Sequence, residues 1–315
     1  DDEPELAEKF GVSSIPMLVV IKDGAGMWRL WFLSDKRIGL KGLFRVRMLY
    51  EFTSAVTPSA AGGSTLEMLF INKEGVHFGE STAISIISLF CDELFFVVAF
   101  PVMLIFIPIQ ELFAISGGVA TVLSLFLIGY VLKAIWVSIL FVGIFIKPEA
   151  LAWIIKQIFR IKFLRKWQYG AMRTAAEIRT CSRKIKHKSI SFWVTTLCLS
   201  AAIWLARFSI VNFLIMAFST GEGAEFLSFH DNIIVLCRQI ITMVVMMIAP
   251  TPGGSGFIEV LFENYLGEFL PATGIVLVLI TSIWRLLTYY YYLVIGAIIA
   301  PKWVAKNFGS KKLEG

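Results

Sequence analysis

Charged residues are scarce in this sequence. Only 17% of the 315 residues are Asp, Glu, Lys or Arg, and 57% are apolar, whereas soluble domains have about 25% charged and about 45–50% apolar residues. This balance argues against a soluble enzyme domain. It predicts that lipid is the main solvent of the chain.

The sequence also lacks the patterns of catalytic and metal sites. Its four cysteines form no CxxC pair and its three histidines have no metal-ligand spacing, so we expect neither a disulfide scaffold nor a zinc cluster. The order of a Ser/His/Asp or Cys/His triad is absent as well. We therefore expect no metal, no cofactor and no catalytic residue.

The surplus of positive charge lies in one block, residues 147–188. This block has twelve Lys and Arg residues against two Glu, a net charge of +10 in a chain whose net charge is +6. Aromatic and aliphatic residues are interspersed, which is typical of a helix lying on anionic lipid, and short Lys/Arg-rich loops stay in the cytoplasm. We predict a cytoplasmic loop that contacts lipid and not nucleic acid.

Long stretches with few charges predict the helices that cross the membrane. About 20 residues are needed to cross about 30 Å of hydrocarbon. Four stretches are long enough, at residues 81–109, 117–146, 191–219 and 273–299. Two further apolar stretches, residues 43–70 and 232–270, are broken near their middles by Pro and Gly. We predict an all-α polytopic membrane protein with four full spans and two helical hairpins.

The two broken stretches contain the same order of residues, which indicates an internal repeat. Each has Thr-Pro, then Gly-Gly-Ser, then a glutamate, within residues 57–67 and 251–259. A helix that restarts after such a break points unpaired N–H groups into the protein, where they suit an anion such as a lipid phosphate. The predicted substrate-binding residues are Pro58, Gly62, Gly63, Ser64, Glu67, Pro252, Gly253, Gly254, Ser255 and Glu259.

The distribution of basic residues predicts that the two broken stretches enter the membrane from opposite faces. With residues 147–188 inside, residues 43–70 must enter and return on the cytoplasmic side and residues 232–270 on the outer side, which leaves the C-terminus inside. Inverted repeats whose broken helices meet near the midplane are an architecture of transporters.

Several charged residues lie at the predicted membrane depth. Each would cost about 2.5–3.5 kcal/mol at a lipid-facing helix centre, so we expect them to face one another or a wet cavity. Structural ion pairing between helices explains any single one equally well. Lys133 is the weakest candidate, because its side chain can reach along Tyr130 and Trp136. The predicted polar pathway consists of Asp92, Glu93, Arg207, Arg238 and Arg285.

Three segments resemble one known family. Pro250–Glu259, with Trp204–Phe208 before it and Arg285–Tyr290 after it, is similar to the lysylphosphatidylglycerol synthase transmembrane family, which comprises flippase-like proteins of the bacterial inner membrane. The resemblance covers about residues 27–305. It implies a multi-pass protein of that membrane whose substrate is a phospholipid, anionic or aminoacylated, or a lipid-linked molecule.

The same resemblance leaves two functions open. In the family's synthases a separate soluble domain attaches the amino acid, and no such domain is recognised in this chain, so we expect translocation and not synthesis. The alternative is the membrane module of a phosphatidylglycerol lysyltransferase, which would work with a separate synthase subunit.

The first 26 residues carry a different resemblance. Residues 5–24, including Ile15-Pro16, resemble the later half of a thioredoxin without its CxxC. The inverted repeat requires a span before residues 43–70, yet residues 1–40 contain no uncharged run of that length. We therefore expect that the native first helix is missing and that residues 1–26 replace it, ahead of a membrane domain (27–305) and a tail (306–315).

Overall fold

Most of the described residues of the chain are helical. The computed structural model describes residues 14–57, 61–114, 119–147, 188–218, 227–246, 251, 254–269 and 274–308, with Glu149, Trp153, Gln157 and Ile185 as isolated positions. The α-helices are α1 (Ser14–Leu33), α2 (Leu40–Val56), α3 (Ala61–Lys73), α4 (Phe78–Phe106), α5 (Ile109–Leu112), α6 (Val119–Phe141), α7 (Ile190–Phe218), α8 (Phe229–Met246), α9 (Phe257–Leu266), α10 (Gly274–Arg285) and α11 (Tyr291–Phe308). π-helical segments follow α6 (Val142–Ile146) and α10 (Leu286–Tyr290), and a 3-10 turn follows α9 (Gly267–Phe269).

Five helical segments are long and apolar enough to cross a membrane, which confirms an all-α polytopic membrane protein. They are Phe78–Phe106, Val122–Ile146, Ile190–Phe218, Phe229–Met246 and Leu277–Phe308. Four of them coincide with the predicted spans. The fifth is α8, the first arm of the second broken stretch. The number of full spans and the re-entry of both broken stretches stay predictions.

Residues 14–33 form one continuous helix, so the prediction of a thioredoxin-like start and a missing first helix is wrong for these residues. α1 runs across the proposed boundary at residue 26 and packs along α7 and against α2. A search for uncharged runs overlooks it because it contains Lys22, Asp23 and Arg29. All three are buried, and each pairs with a charged residue of a neighbouring helix.

The first broken stretch forms two helices, α2 and α3, that pack against each other. Gly63 is buried in this contact. A Cβ added there would overlap Ser54 Oγ and lie 2.8 Å from the carbonyl oxygen of Tyr50. α11 packs on α2 at Gly296, where an added Cβ would overlap the Phe52 ring. Small residues therefore permit both close helix contacts, as is common between membrane helices.

The second broken stretch forms α8 and α9, which pack against each other and, through α8, against α6 and α7. The break contains two glycines in left-handed conformations, Gly254 (φ 66°) and Gly256 (φ 85°). Residues with a Cβ rarely adopt such angles. The glycines of this break thus allow the chain to turn from α8 into α9.

Each helical pair has its own apolar packing. One hydrophobic cluster joins the first pair to α1, α4, the end of α6 and the start of α7. Two others join the second pair to the remaining parts of α4, α6 and α7 and to α10. The two pairs therefore pack into different hydrophobic clusters, which are connected through α1, α4, α6 and α7.

We predict that Gly296→Ala destabilises the protein. Its Cβ would meet the inner atoms of the Phe52 ring, which cannot move aside as the end of a flexible side chain could, so we expect a loss of about 1–3 kcal/mol. Gly24→Ala is the matched control, because no atom lies within 4 Å of the added Cβ, and better helix propensity should stabilise it by about 0.5–1 kcal/mol. Thermal unfolding in detergent measures both. Equal midpoints for the two variants would contradict the packing described at Gly296.

Candidate functional site

A cavity lies between α2 and the second helical pair. Residues of α1, α4, α7, α10, α11 and the π-helical segment between α10 and α11 complete its wall. It holds about 1190 Å³ of space free of protein atoms, including solvent at its mouth. The charged lining residues are Arg29, Arg47, Glu51, Asp92, Arg207 and Arg285. The aromatic lining residues are Tyr50, Trp204, Phe208, Phe262, Trp284, Tyr289 and Tyr292.

Glu51 of α2 binds three cations from three helices. Arg47, one turn earlier, donates to Glu51 Oε1 at 2.5 Å, and Lys22 Nζ of α1 lies 3.1 Å from the same oxygen. Arg207 of α7 donates to Oε2 at 2.9 Å. Because Lys22, Arg47 and Glu51 are all buried, this carboxylate provides the charge that lets α1, α2 and α7 pack in an apolar surrounding.

Asp23 and Tyr292 extend this group to α11. The Nε of Arg47 donates to Asp23 Oδ1 at 3.2 Å, and the Tyr292 hydroxyl donates to Oδ2 at 3.0 Å. The same hydroxyl accepts a 2.6 Å hydrogen bond from Lys22 Nζ. Gly26 provides room on α1 for the Arg47 side chain, because a Cβ there would lie 2.9 Å from its Nε.

Arg29, two turns after Lys22 in α1, forms a second ion pair. Its guanidinium donates two hydrogen bonds to the carboxylate of Asp92 on α4, at 2.5 and 3.0 Å. It also donates to Ser200 Oγ at 2.8 Å, and the indole of Trp204 donates to Asp92 at 3.3 Å. A bidentate pair of this kind fixes the orientation of both side chains. It joins α1, α4 and α7 at the cavity wall.

Arg285 faces the break of the second helical pair. Its Nε lies 2.7 Å from Glu259 Oε1, and its NH2 donates to Ser255 Oγ at 2.9 Å. One turn later in the π-helical segment, the Tyr289 hydroxyl donates to the carbonyl of Ala55 at 3.3 Å. Arg285 therefore contacts the break of the second pair, and the π-helical segment that follows it contacts the end of α2. π-helical turns inside helices are frequent at functional sites.

The restarted helix α9 already has an anion at its N-terminus. The Gly256 N–H donates to Glu259 Oε2 at 2.7 Å, so the glutamate of the repeat caps its own helix and also pairs with Arg285. An external anion near this break would therefore meet the Arg285 side chain before it meets free backbone N–H groups.

Other predicted residues lie apart from the cavity wall. Glu93 pairs with Lys133 at 2.5 Å, so Lys133 does not simply reach towards the membrane surface. Arg238 donates to the carbonyls of Glu111 and Tyr265 and pairs with Glu268, which ties α8 to α5 and to the end of α9.

The first break is described only in part. Glu67 is buried in α3, within electrostatic range of Arg29 and Asp92, and Ser64 is partly exposed in the same helix. Gly62 is described only by its place in α3. Pro58, Pro252, Gly253 and most of residues 147–188 lie outside the described residues.

The sequence did not predict the α1 contribution to the cavity. Lys22 and Arg29 are seven residues apart, which places them on one face of a helix, and Arg47 and Glu51 have the i,i+4 spacing of a helical ion pair. These spacings are the signal that could have identified them. Because residues 1–26 were interpreted as a foreign segment, the spacing of Lys22 and Arg29 was not considered.

Comparisons with known proteins are consistent with this architecture. A family model described as "Lysylphosphatidylglycerol synthase TM region" matches residues 10–296, so the match includes all of α1. A "UPF0104 membrane protein" of Archaeoglobus fulgidus is 26% identical over 279 residues, which cover 86% of this chain and 81% of that protein. No solved structure matches the chain.

We predict that Glu51→Gln is strongly destabilising. The substitution leaves Lys22, Arg47 and Arg207 with too little buried negative charge, and breaking a buried pair costs about 3–5 kcal/mol. The matched control is Glu80→Gln, which removes the partly exposed partner of Arg37 and should cost less than about 1 kcal/mol. Unfolding midpoints in detergent measure the difference. A loss at Glu51 as small as that at Glu80 would contradict the central role of this carboxylate.

Proposed function

The chain belongs to the lysylphosphatidylglycerol synthase transmembrane family, and we propose that it translocates an anionic phospholipid or a lipid-linked anion across the membrane. The observation that carries this proposal is a cavity with four arginines at its wall, placed where two broken helical pairs approach each other in a membrane domain. Broken helices that meet at a binding site are a recurring feature of transporters.

The charges of the wall favour an anion. Four arginines line the cavity against two carboxylates, Glu51 and Asp92. The carboxylates that also pair with Arg47 and Arg285, Asp23 and Glu259, are not part of the lining. Guanidinium groups bind phosphate oxygens through paired hydrogen bonds. Because the local dielectric constant is low, this attraction is stronger than at a water-exposed surface. A phosphate headgroup fits such a wall better than a neutral or cationic molecule.

Arg285 is the best placed of the four to exchange partners with a substrate. Its side chain is 6% exposed, whereas that of its partner Glu259 is 30% exposed, and Ser255 is exposed. A phosphate that enters from this side competes with Glu259 for the guanidinium. One turn after Arg285, Tyr289 contacts α2. A displacement of Arg285 would therefore alter contacts with both helical pairs.

The membrane orientation belongs to the same proposal. The basic residues of the 147–188 block favour a cytoplasmic position for this loop and for the C-terminus. The lipid surface that the block would face is anionic. A bacterial inner membrane and a separate synthase subunit stay predictions from family resemblance.

We predict that Arg285→Gln reduces lipid transfer by about 10-fold or more, because a hydrogen bond to a charged group contributes about 1.5–3 kcal/mol. The measurement is the transfer of fluorescent phosphatidylglycerol between leaflets of proteoliposomes that contain the purified protein. Arg37→Gln is the matched control, since its partly exposed pair with Glu80 lies away from the cavity wall. Transfer at the wild-type rate in Arg285→Gln would refute the proposed route.

A further inference from the structure

Lys22 is a buried amine directly behind the cavity wall. It is 1% exposed, and its Nζ lies 2.6 Å from the Tyr292 hydroxyl, 3.1 Å from Glu51 and 3.6 Å from Asp23. The translocation route described above does not use it, because Lys22 does not line the cavity.

The charges around Lys22 do not balance. Among the described residues, the charged and titratable groups that face it are Asp23 on α1, Arg47 and Glu51 on α2, Arg207 on α7 and Tyr292 on α11. With Lys22 protonated, this group has three cations and two anions, a formal charge of +1. An uncompensated buried charge is costly, so the group requires either one added negative charge or the loss of one proton.

Only one of the three cations can lose its proton. Arginine stays protonated in proteins, whereas a buried lysine readily releases its proton. When Lys22 becomes a neutral amine, the two arginines balance Asp23 and Glu51. The Tyr292 hydroxyl accepts from Lys22 and donates to Asp23. The Asp23 side chain is 11% exposed, so the departing proton passes by way of Asp23 to water and leaves the group.

An anion in the cavity would supply the missing negative charge instead. Arg47, Glu51 and Arg207 belong both to the Lys22 group and to the cavity wall. We propose that Lys22 is a proton-binding site that couples the movement of one anionic headgroup to the movement of one proton, an inference that rests on the proposed translocation. Lys22 is protonated while the anion is bound and releases its proton as the anion leaves. No other bond forms or breaks.

The first test is transfer of fluorescent phosphatidylglycerol in proteoliposomes with a pH difference across the membrane. One proton moving with one anion makes the step electroneutral, so labelled lipid should accumulate in the leaflet that faces the more alkaline compartment. At steady state the expected ratio is about tenfold for each pH unit. If the wild-type protein transfers lipid at a measurable rate but the distribution of the lipid between leaflets does not depend on the pH difference, the coupling is refuted. The proposed translocation is not refuted by that result.

Two substitutions of Lys22 should remove the coupling for different reasons. Lys22→Met leaves two arginines against two carboxylates, a balanced group that should fold, and Lys22→Arg keeps the charge but cannot release its proton. Both should lose the tenfold accumulation and still equilibrate the lipid. The control is Lys133→Met with Glu93→Gln, which removes another buried pair away from the cavity wall and should keep the accumulation. Accumulation retained in Lys22→Met contradicts the assignment to Lys22.

A second measurement does not depend on transport. Dihexanoyl phosphatidylglycerol added to the detergent-solubilised protein in weakly buffered, mildly alkaline solution should cause uptake of up to one proton per bound lipid, and none in either Lys22 variant. Proton uptake without transfer in vesicles supports the proton site and rejects translocation. Transfer without proton uptake rejects the proton site alone. If neither lipid transfer nor proton uptake is observed, the translocation and the proton site are both rejected.

Discussion

The carboxylate of Glu51 is the group on which the first half of the structure depends. It forms ion pairs with cations of α1, α2 and α7 at distances of 2.5 to 3.1 Å. Its partners are connected to α11 through Asp23 and Tyr292. Packing alone gives little preference between helix partners in lipid, because lipid tails are as apolar as leucine side chains. A buried ion group has few alternative arrangements, so it specifies which helices meet. The cavity forms where this group adjoins the second helical pair.

The two halves of the repeat match in sequence more closely than in chemistry. Arg47 and Arg238 both precede a break, yet Arg47 pairs with carboxylates while Arg238 mainly holds backbone carbonyls. The first pair therefore contributes a fixed ion group, and the second contributes the more exposed contact of Arg285 with Glu259. This asymmetry places the buried ion group on one side of the cavity and the more exposed Arg285–Glu259 contact on the other.

Much of the fold could be predicted from the sequence because lipid imposes simple rules on composition. The spans at residues 81–109, 117–146 and 191–219 were found by length and apolarity, and the Pro-Gly breaks separated α2 from α3 and α8 from α9. α1 was not found because the same rules count Lys22, Asp23 and Arg29 as disqualifying. Charge counting along one helix cannot detect compensation by Glu51 or Asp92, which lie 29 and 63 residues beyond Lys22 and Arg29.

The candidate site could be predicted for the same reason only in part. Of the five residues predicted for a polar pathway, Arg207, Arg285 and Asp92 line the cavity, whereas Glu93 and Arg238 pair elsewhere. All five have the same signature in sequence, an isolated charge in an apolar run. What distinguishes them is the partner that tertiary packing brings to each side chain. A local pattern identifies a buried charge but not the group that it faces.

Stability alone does not account for this many buried charges. Replacing a buried ion pair by well-packed apolar residues is often neutral or stabilising, and five interacting charges on α1, α2 and α7 could in principle give way to an apolar contact. Three of these five charges, Arg47, Glu51 and Arg207, also line the cavity. A cavity wall that only closed the fold would require no charge, whereas a wall that binds and releases an anion in a low dielectric requires charges fixed in advance of binding. Under the proposed function, the ion group is the component of the fold that keeps the cavity able to accept an anion.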